Sequence, residues 1–260
     1  MKIKHPFLLG TLLGGLMLVI LISSANKKSD NEDKCSEYLS VMDDGIAAQL
    51  KWADLDYNLY CLSYTMTSTD YTLSWLYRDV SLKTNHLKEG TDIWPYIYKK
   101  IYLNEKNKIT FMIDSLKELQ VSEHLNRSDF AKTVVTMIQD IPYSYVLWNE
   151  SCDDHVGPCI DDVKWGLYTP TEFLYTHQGD CDTRTLTLYT LLKELGYHPI
   201  LLTSNAYRHS IIGLDIPASG DHIVKNGIKY YLWETTNTGW DIGMLPPEMN
   251  DISKWDITLQ

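Results

Sequence analysis

Apolar residues recur at helical spacing through the middle of the chain. WPYIYKKIYL (94–103), KITFMIDSLKELQ (108–120) and SDFAKTVVTMIQDI (128–141) each predict a helix with one apolar face. In the second stretch the face is Phe111, Ile113, Leu116 and Leu119; in the third it is Phe130, Val134, Val135, Ile138 and Ile141. Ser128 and Asp129 are placed to open the third helix and Pro142 to close it. TDYTLSWLYRDV (69–80) predicts a further helix, begun by Thr69 and Asp70. Before it, YNLYCLSYTMT (57–67) is rich in aromatic and β-branched residues and predicts a strand. The mixed stretch 143–178 carries no such period and reads as a long loop bordering a site.

The pattern then changes. TRTLTLYTLLKELGY (183–197) is a helix with Leu186, Leu188, Leu191, Leu192 and Leu195 inside, stopped by Gly196. HPILLTS, SIIGLDI and IKYYLWETT predict strands, and Asn226-Gly227 in VKNGIK predicts a hairpin turn. A helix followed by an antiparallel sheet, after a helix-rich region, gives an α+β class.

At the N-terminus, MKIKH precedes residues 6–22, which are apolar apart from Thr11, and the chain then turns abruptly polar. Positive start, apolar run and a small-residue site after Ala25 predict an export signal. The run also reaches the lower limit of about 17 residues for a spanning helix. Residues 1–25 are therefore a signal peptide or an N-terminal membrane anchor, residues 26–36 a polar linker, 37–127 a strand-and-helix region and 128–260 a separate domain. Either way the remainder is exported, in contact with the membrane only if the segment is uncleaved.

Export bears on the five cysteines, because thiols outside the cytosol tend to pair. Cys152 and Cys159 share a short loop with Gly157 and Pro158 and are the easiest to join. Cys35 with Cys61 then remains, although three pairings of four cysteines are possible. Cys181 is left as the free thiol. The net charge of −11, with no basic stripe, argues against a nucleic-acid partner. The 18 tyrosines against 4 phenylalanines suit half-buried packing with hydroxyls at the surface. No Gly-rich phosphate loop, paired CxxC motifs or HExxH occurs, so neither cofactor nor metal is expected. The cluster DDHVGPCIDD (153–162) lacks the ligand spacing of a Ca²⁺ loop and reads as a solvated loop.

Cys181 stands between Asp180 and Asp182, two carboxylates that disfavour a thiolate. A helix beginning there resolves the conflict. Asp180 becomes the N-cap, accepting from the N–H of Asp182 or Thr183; Asp182 favours the helix N-terminus, with Arg184 near enough to compensate it. The thiol then faces free N–H groups, one of which, its own, could donate to an oxyanion. Trp148, Asn149 and Gln178 precede the nucleophile without marking a second donor. His209 begins one strand and Glu234 ends another, so a base and its orienting acid are available. His222, in a turn-like Gly-Asp context, is the weaker candidate base.

GDCDTRTLTLYTLLKELGY, HSIIGL and YYLWETTNTGWDIG, with the approach YTPTEFLYTHQGDC, resemble the transglutaminase-like domain of bacterial proteins over roughly residues 128–245. The resemblance implies a papain-like fold and a Cys-His-acid triad, with Cys181 as nucleophile, His209 as base and Glu234 where the family often has Asp. Two functions fit. One is a thiol enzyme acting on peptide or isopeptide amide bonds, with hydrolysis favoured over transamidation. The other is a non-catalytic module binding peptide or a protein partner.

Overall fold

The computed structural model describes residues 35–260. The stretch expected to be an export segment, and the expected linker apart from Cys35 and Ser36, lie outside the described residues. The architecture is α+β, with helices between two antiparallel sheets in sequence. The first sheet holds β1 (Tyr38–Met42), β2 (Gly45–Ala53) and β3 (Leu59–Thr67), in that order. The strand expected at 57–67 is β3, shortened because Tyr57 turns at φ 63°. Ile46, Ala48, Leu50 and Trp52 of β2 and Tyr60, Leu62, Tyr64 and Met66 of β3 are buried, alternate residues on one face.

Helix α1 (Ser68–Leu76) follows β3 without a loop. Its cap is Thr67 rather than the expected Thr69: the Thr67 hydroxyl accepts from the Asp70 N–H at 3.1 Å, completing a capping box. Helices α2 (Trp94–Glu105), α3 (Thr110–Ser122) and α4 (Arg127–Asp140) occupy the three periodic stretches. Asn126, not Ser128 or Asp129, caps α4, accepting from the N–H groups of both at 2.9 and 3.0 Å. The 143–178 stretch is less irregular than expected. It holds the short parallel pair β4 (Tyr145–Val146) and β5 (Cys159–Ile160), and helix α5 (Pro170–Thr176) with its own capping box between Thr169 and Glu172.

Helix α6 (Cys181–Glu194) leads into a five-stranded sheet of order β10-β6-β7-β9-β8. Its strands are β6 (Ile200–Ser204), β7 (His209–Leu214), β8 (His222–Lys225), β9 (Ile228–Trp233) and β10 (Asp256–Leu259). Asn226 and Gly227 form the expected hairpin turn, both at positive φ, 53° and 78°. One continuous buried cluster runs from Ile46 to Leu259 and draws on residues of both sheets and the helices between them.

Two polar devices, one from the turn after α1 and one from β3, hold the segment that precedes Cys181. Arg78, in the turn after α1, meets Glu172 of α5 at 3.0 Å through Nε and 2.9 Å through Nη2, with both side chains almost fully enclosed. His177, the left-handed cap of α5, lies 2.6 Å from the Tyr64 hydroxyl, which itself donates to the Leu174 carbonyl at 2.7 Å. His177 Nε2 therefore carries the proton in that pair. Burial holds the imidazole neutral, its pKa lowered from 6.5 to about 4. Between those values the unfolded chain binds the proton and the folded chain does not, so stability is full above pH 6.5 and falls as pH drops towards 4. The loss attributable to His177 is on the order of 3 kcal/mol at most. His177→Asn keeps a residue that tolerates positive φ and removes the titration. Urea midpoints at pH 7.5 and 4.5 should therefore differ less in the variant than in the parent; equal differences would remove His177 from the acid response.

Candidate active site

The two disulfides join Cys35 to Cys61 and Cys152 to Cys159, with Cα separations of 6.1 and 5.7 Å, and leave Cys181 as the free cysteine among the described residues. Such pairs suit an oxidising, extracytoplasmic environment. No helix among the described residues is long and apolar enough to cross a membrane.

Asp180 is extended and caps α6, its Oδ1 accepting from the Thr183 N–H at 3.0 Å. The approach is tight: a Cβ on Gly179 would lie 2.7 Å from both the Phe173 ring and the Thr183 methyl, so any larger residue would have to push them aside. Arg184 departs from its expected role. Its guanidinium does not reach Asp182 but donates to the carbonyls of Gly179 (3.0 Å), Ile138 (2.7 Å) and Ile141. The last two are carbonyls at the end of α4, left without helical partners where Pro142 follows, and a buried cation satisfies them. Asp182 instead accepts from the Tyr98 hydroxyl at 2.9 Å and from the Ser210 hydroxyl.

His209 is the first residue of β7, and Glu234 directly follows β9. His209 Nε2 lies 2.8 Å from Glu234 Oε2. The longer acid is fixed by its own turn: its other oxygen accepts from the N–H groups of Thr235 and Thr236, each at 2.8 Å, and from the Thr236 hydroxyl at 2.6 Å. From α4, Gln139 Nε2 donates to the Glu234 carbonyl at 2.7 Å. Burial works to raise the Glu234 pKa, but His209 and the Thr236 donors outweigh it and the carboxyl is held below its usual range. With Nε2 so engaged, Nδ1 is the nitrogen left for chemistry. His222 lies at the outer strand of the sheet, with Nδ1 2.8 Å from the Gly220 carbonyl, and has no acid partner of this kind.

The thiol does not behave as its place on the helix suggests. Burial pushes the Cys181 pKa well up, and Asp182, Asp180 and Glu234 push the same way; the Ser210 N–H opposes them. Asp180 is likewise raised, by burial and then by the Asp182 charge. The helix-end N–H groups are outweighed because Asp180, Cys181 and Thr183 are enclosed. Burial raises the Asp182 pKa too, against the opposing hydroxyls of Ser210 and Tyr98 and the neighbouring His209.

Cys181 keeps 9 % exposure, which opens into a cleft of about 690 Å³. Trp94, Tyr145, Trp148, Trp165 and Tyr207 give it aromatic walls, and Glu150, His155 and Arg208 line it too. The disulfide loop forms one side: His155 lies over the Tyr145 ring at 4.7 Å between centroids. Of the earlier oxyanion candidates, Trp148 lines this cleft. The residue that sequence reasoning missed is Tyr143. It lines this cleft together with Cys181 and also borders a second cleft of about 570 Å³ beside Thr236, Asn237 and Thr238.

No family model, curated protein or solved structure matches the chain, so function is read from the site itself.

Proposed function

We propose that the chain is an exported, thiol-dependent enzyme acting on peptide or isopeptide amide bonds, built on a papain-like, transglutaminase-like core, with Cys181, His209 and Glu234 as its triad. One observation carries this reading: the free cysteine heads a helix at the floor of an aromatic cleft, against the strand end that bears an acid-paired histidine. Chemistry follows from that placement. His209 Nδ1 takes the thiol proton as the sulfur attacks a substrate carbonyl. The developing oxyanion receives the Cys181 N–H. The imidazolium, held by Glu234, returns the proton to the leaving amine, and a thioester remains on Cys181. Water then hydrolyses the thioester, restoring the thiol; an amine in its place would give transamidation. Since burial and three carboxylates keep the resting thiol protonated, deprotonation belongs to the acylation step rather than to a standing ion pair.

The enzyme would act outside the cytosol, either held by residues 6–22 or released after cleavage near Ala25, on a peptide or protein substrate. The alternative, a non-catalytic module that binds peptide or a protein partner, is favoured by one feature: the aromatic walls of the cleft suit a bound peptide whether or not it is cleaved.

The test is to incubate residues 27–260 with a peptide library, with and without a labelled primary amine, using Cys181→Ala as blank. Cleavage that disappears in the blank is the expected result. Cys181-dependent amine incorporation without cleavage would reverse the preference for hydrolysis, and neither reaction would favour the binding module.

A further inference from the structure

Beyond the three triad residues, we infer that Thr185 and Asp182 are positioning residues that register the nucleophile against both of its partners, an inference that rests on the enzyme reading above. They lie three apart on α6 and therefore share a face. Both reach the residue after His209: Asp182 accepts from the Ser210 hydroxyl, and the Thr185 hydroxyl donates to the Ser210 carbonyl at 3.2 Å. Thr185 also reaches the residue after Glu234, with 3.0 Å between its hydroxyl and that of Thr235. A hydroxyl has one proton to give; Thr185 gives its own to Ser210, so Thr235 donates to Thr185. Thr185, Ser210 and Thr235 are all essentially buried, where each of these bonds is costly to lose.

The sheet does not do this work. Pairing between β7 and β9 covers Ile212 with Trp233, Gly213 with Leu232 and Leu214 with Tyr231, and reaches no further. Residues 209–210 and 234–235 lie beyond its end. No ladder bond holds the histidine end of β7 against the turn that carries the acid. The Thr185 hydroxyl spans that gap from the helix that bears Cys181, one turn earlier on the same side. Tyr98 of α2 adds a third anchor through Asp182 at 2.9 Å, so the helical N-terminal region contributes to the same registration.

Thr185→Val fills the space and removes the hydroxyl; Thr185→Ser keeps it. The experiment is a double-mutant cycle on the rate of Cys181 alkylation by iodoacetamide at pH 7.5, with Thr185→Val made in the parent and in His209→Ala. In the parent, Thr185→Val should slow alkylation by about tenfold, because misplacement of a base by a fraction of an ångström is costly. Thr185→Ser should restore the parent rate to within about threefold. In the His209→Ala background, Thr185→Val should have no further effect. An equal slowing in both backgrounds, or none in either, would overturn the inference and leave Thr185 a packing residue. Should Thr185→Val fail to fold, Tyr98→Phe enters the same cycle: it removes one donor to Asp182 and keeps the ring, and its effect must likewise vanish in His209→Ala. Alkylation needs no substrate, so a protein that shows the coupling but turns over no amide would refute the enzyme reading while sustaining the registration.

Discussion

Replacing Arg78 by alanine is expected to destabilise the fold by about 3–5 kcal/mol, the range for breaking a buried ion pair by removing one partner. The reason is the group left behind. Glu172 is fully enclosed and would be left with the Thr169 N–H as a remaining donor, at 2.9 Å. Three donor contacts in the structure come from Arg78 itself, at 3.3, 3.0 and 2.9 Å. Glu172 also anchors the first turn of α5, which runs into His177 and then into the Asp180 cap, so the damage should extend to the site. Denaturant unfolding of the variant measures the loss. The double change Arg78→Met with Glu172→Leu should recover most of it, since an apolar pair leaves no buried charge. A loss below about 1 kcal/mol in Arg78→Ala would mean the pair is solvated and structurally idle.

The second large effect concerns the base. On any amide substrate the protein cleaves, His209→Ala should lower kcat by about 10²–10⁴-fold with little change in KM, the contribution expected of a positioned general acid–base group. Its unusual feature here is the resting thiol. Burial, Asp182 and Asp180 hold the Cys181 proton in place, so no nucleophile forms without a base to receive that proton. Glu234→Gln should cost less than His209→Ala. The amide side chain keeps the length that the Thr235 and Thr236 donors fix, but not the charge that faces the imidazolium. A loss seen mainly in KM would place His209 in substrate binding instead.

Much of this arrangement was legible in the chain, for local reasons. The 3.6-residue spacing marks α2, α3, α4 and α6, and Asn226-Gly227 marks the β8–β9 turn, because each signal lies within one element. Cys152 and Cys159 were readable as a pair because a short loop separates them. Other features were visible yet weak. Ile46, Ala48, Leu50 and Trp52 alternate along β2, but two of the intervening and buried positions are alanine, which blurs the contrast with the polar face. The exposed β1 shows no burial alternation at all. Helix α5 is a single capped segment of 7 residues, too short for a periodic signal, although Thr169, Pro170 and Glu172 spell its start.

What could not be read depends on contacts far apart in sequence. Arg184 lies two residues from Asp182, yet its partners are Ile138 and Ile141, at the far end of another helix. Asp182 finds Tyr98 and Ser210, which no local spacing connects to it. The direction of the thiol pKa followed the same rule. The helix N-terminus is a sequence-level feature and pulls the pKa down; burial is a tertiary one, and here it prevails.

The most direct test of the central claim is to look for the covalent intermediate. An activated acyl ester, such as a p-nitrophenyl ester, is mixed with residues 27–260, the reaction is quenched in acid over a time course, and the protein is digested and weighed by mass spectrometry. The account predicts one acyl group on the peptide bearing Cys181, appearing early and discharging to free thiol, with slow discharge in His209→Ala because no base activates the attacking water. Absence of any acyl group on Cys181, or acylation of Cys181 that neither turns over nor depends on His209, would contradict it.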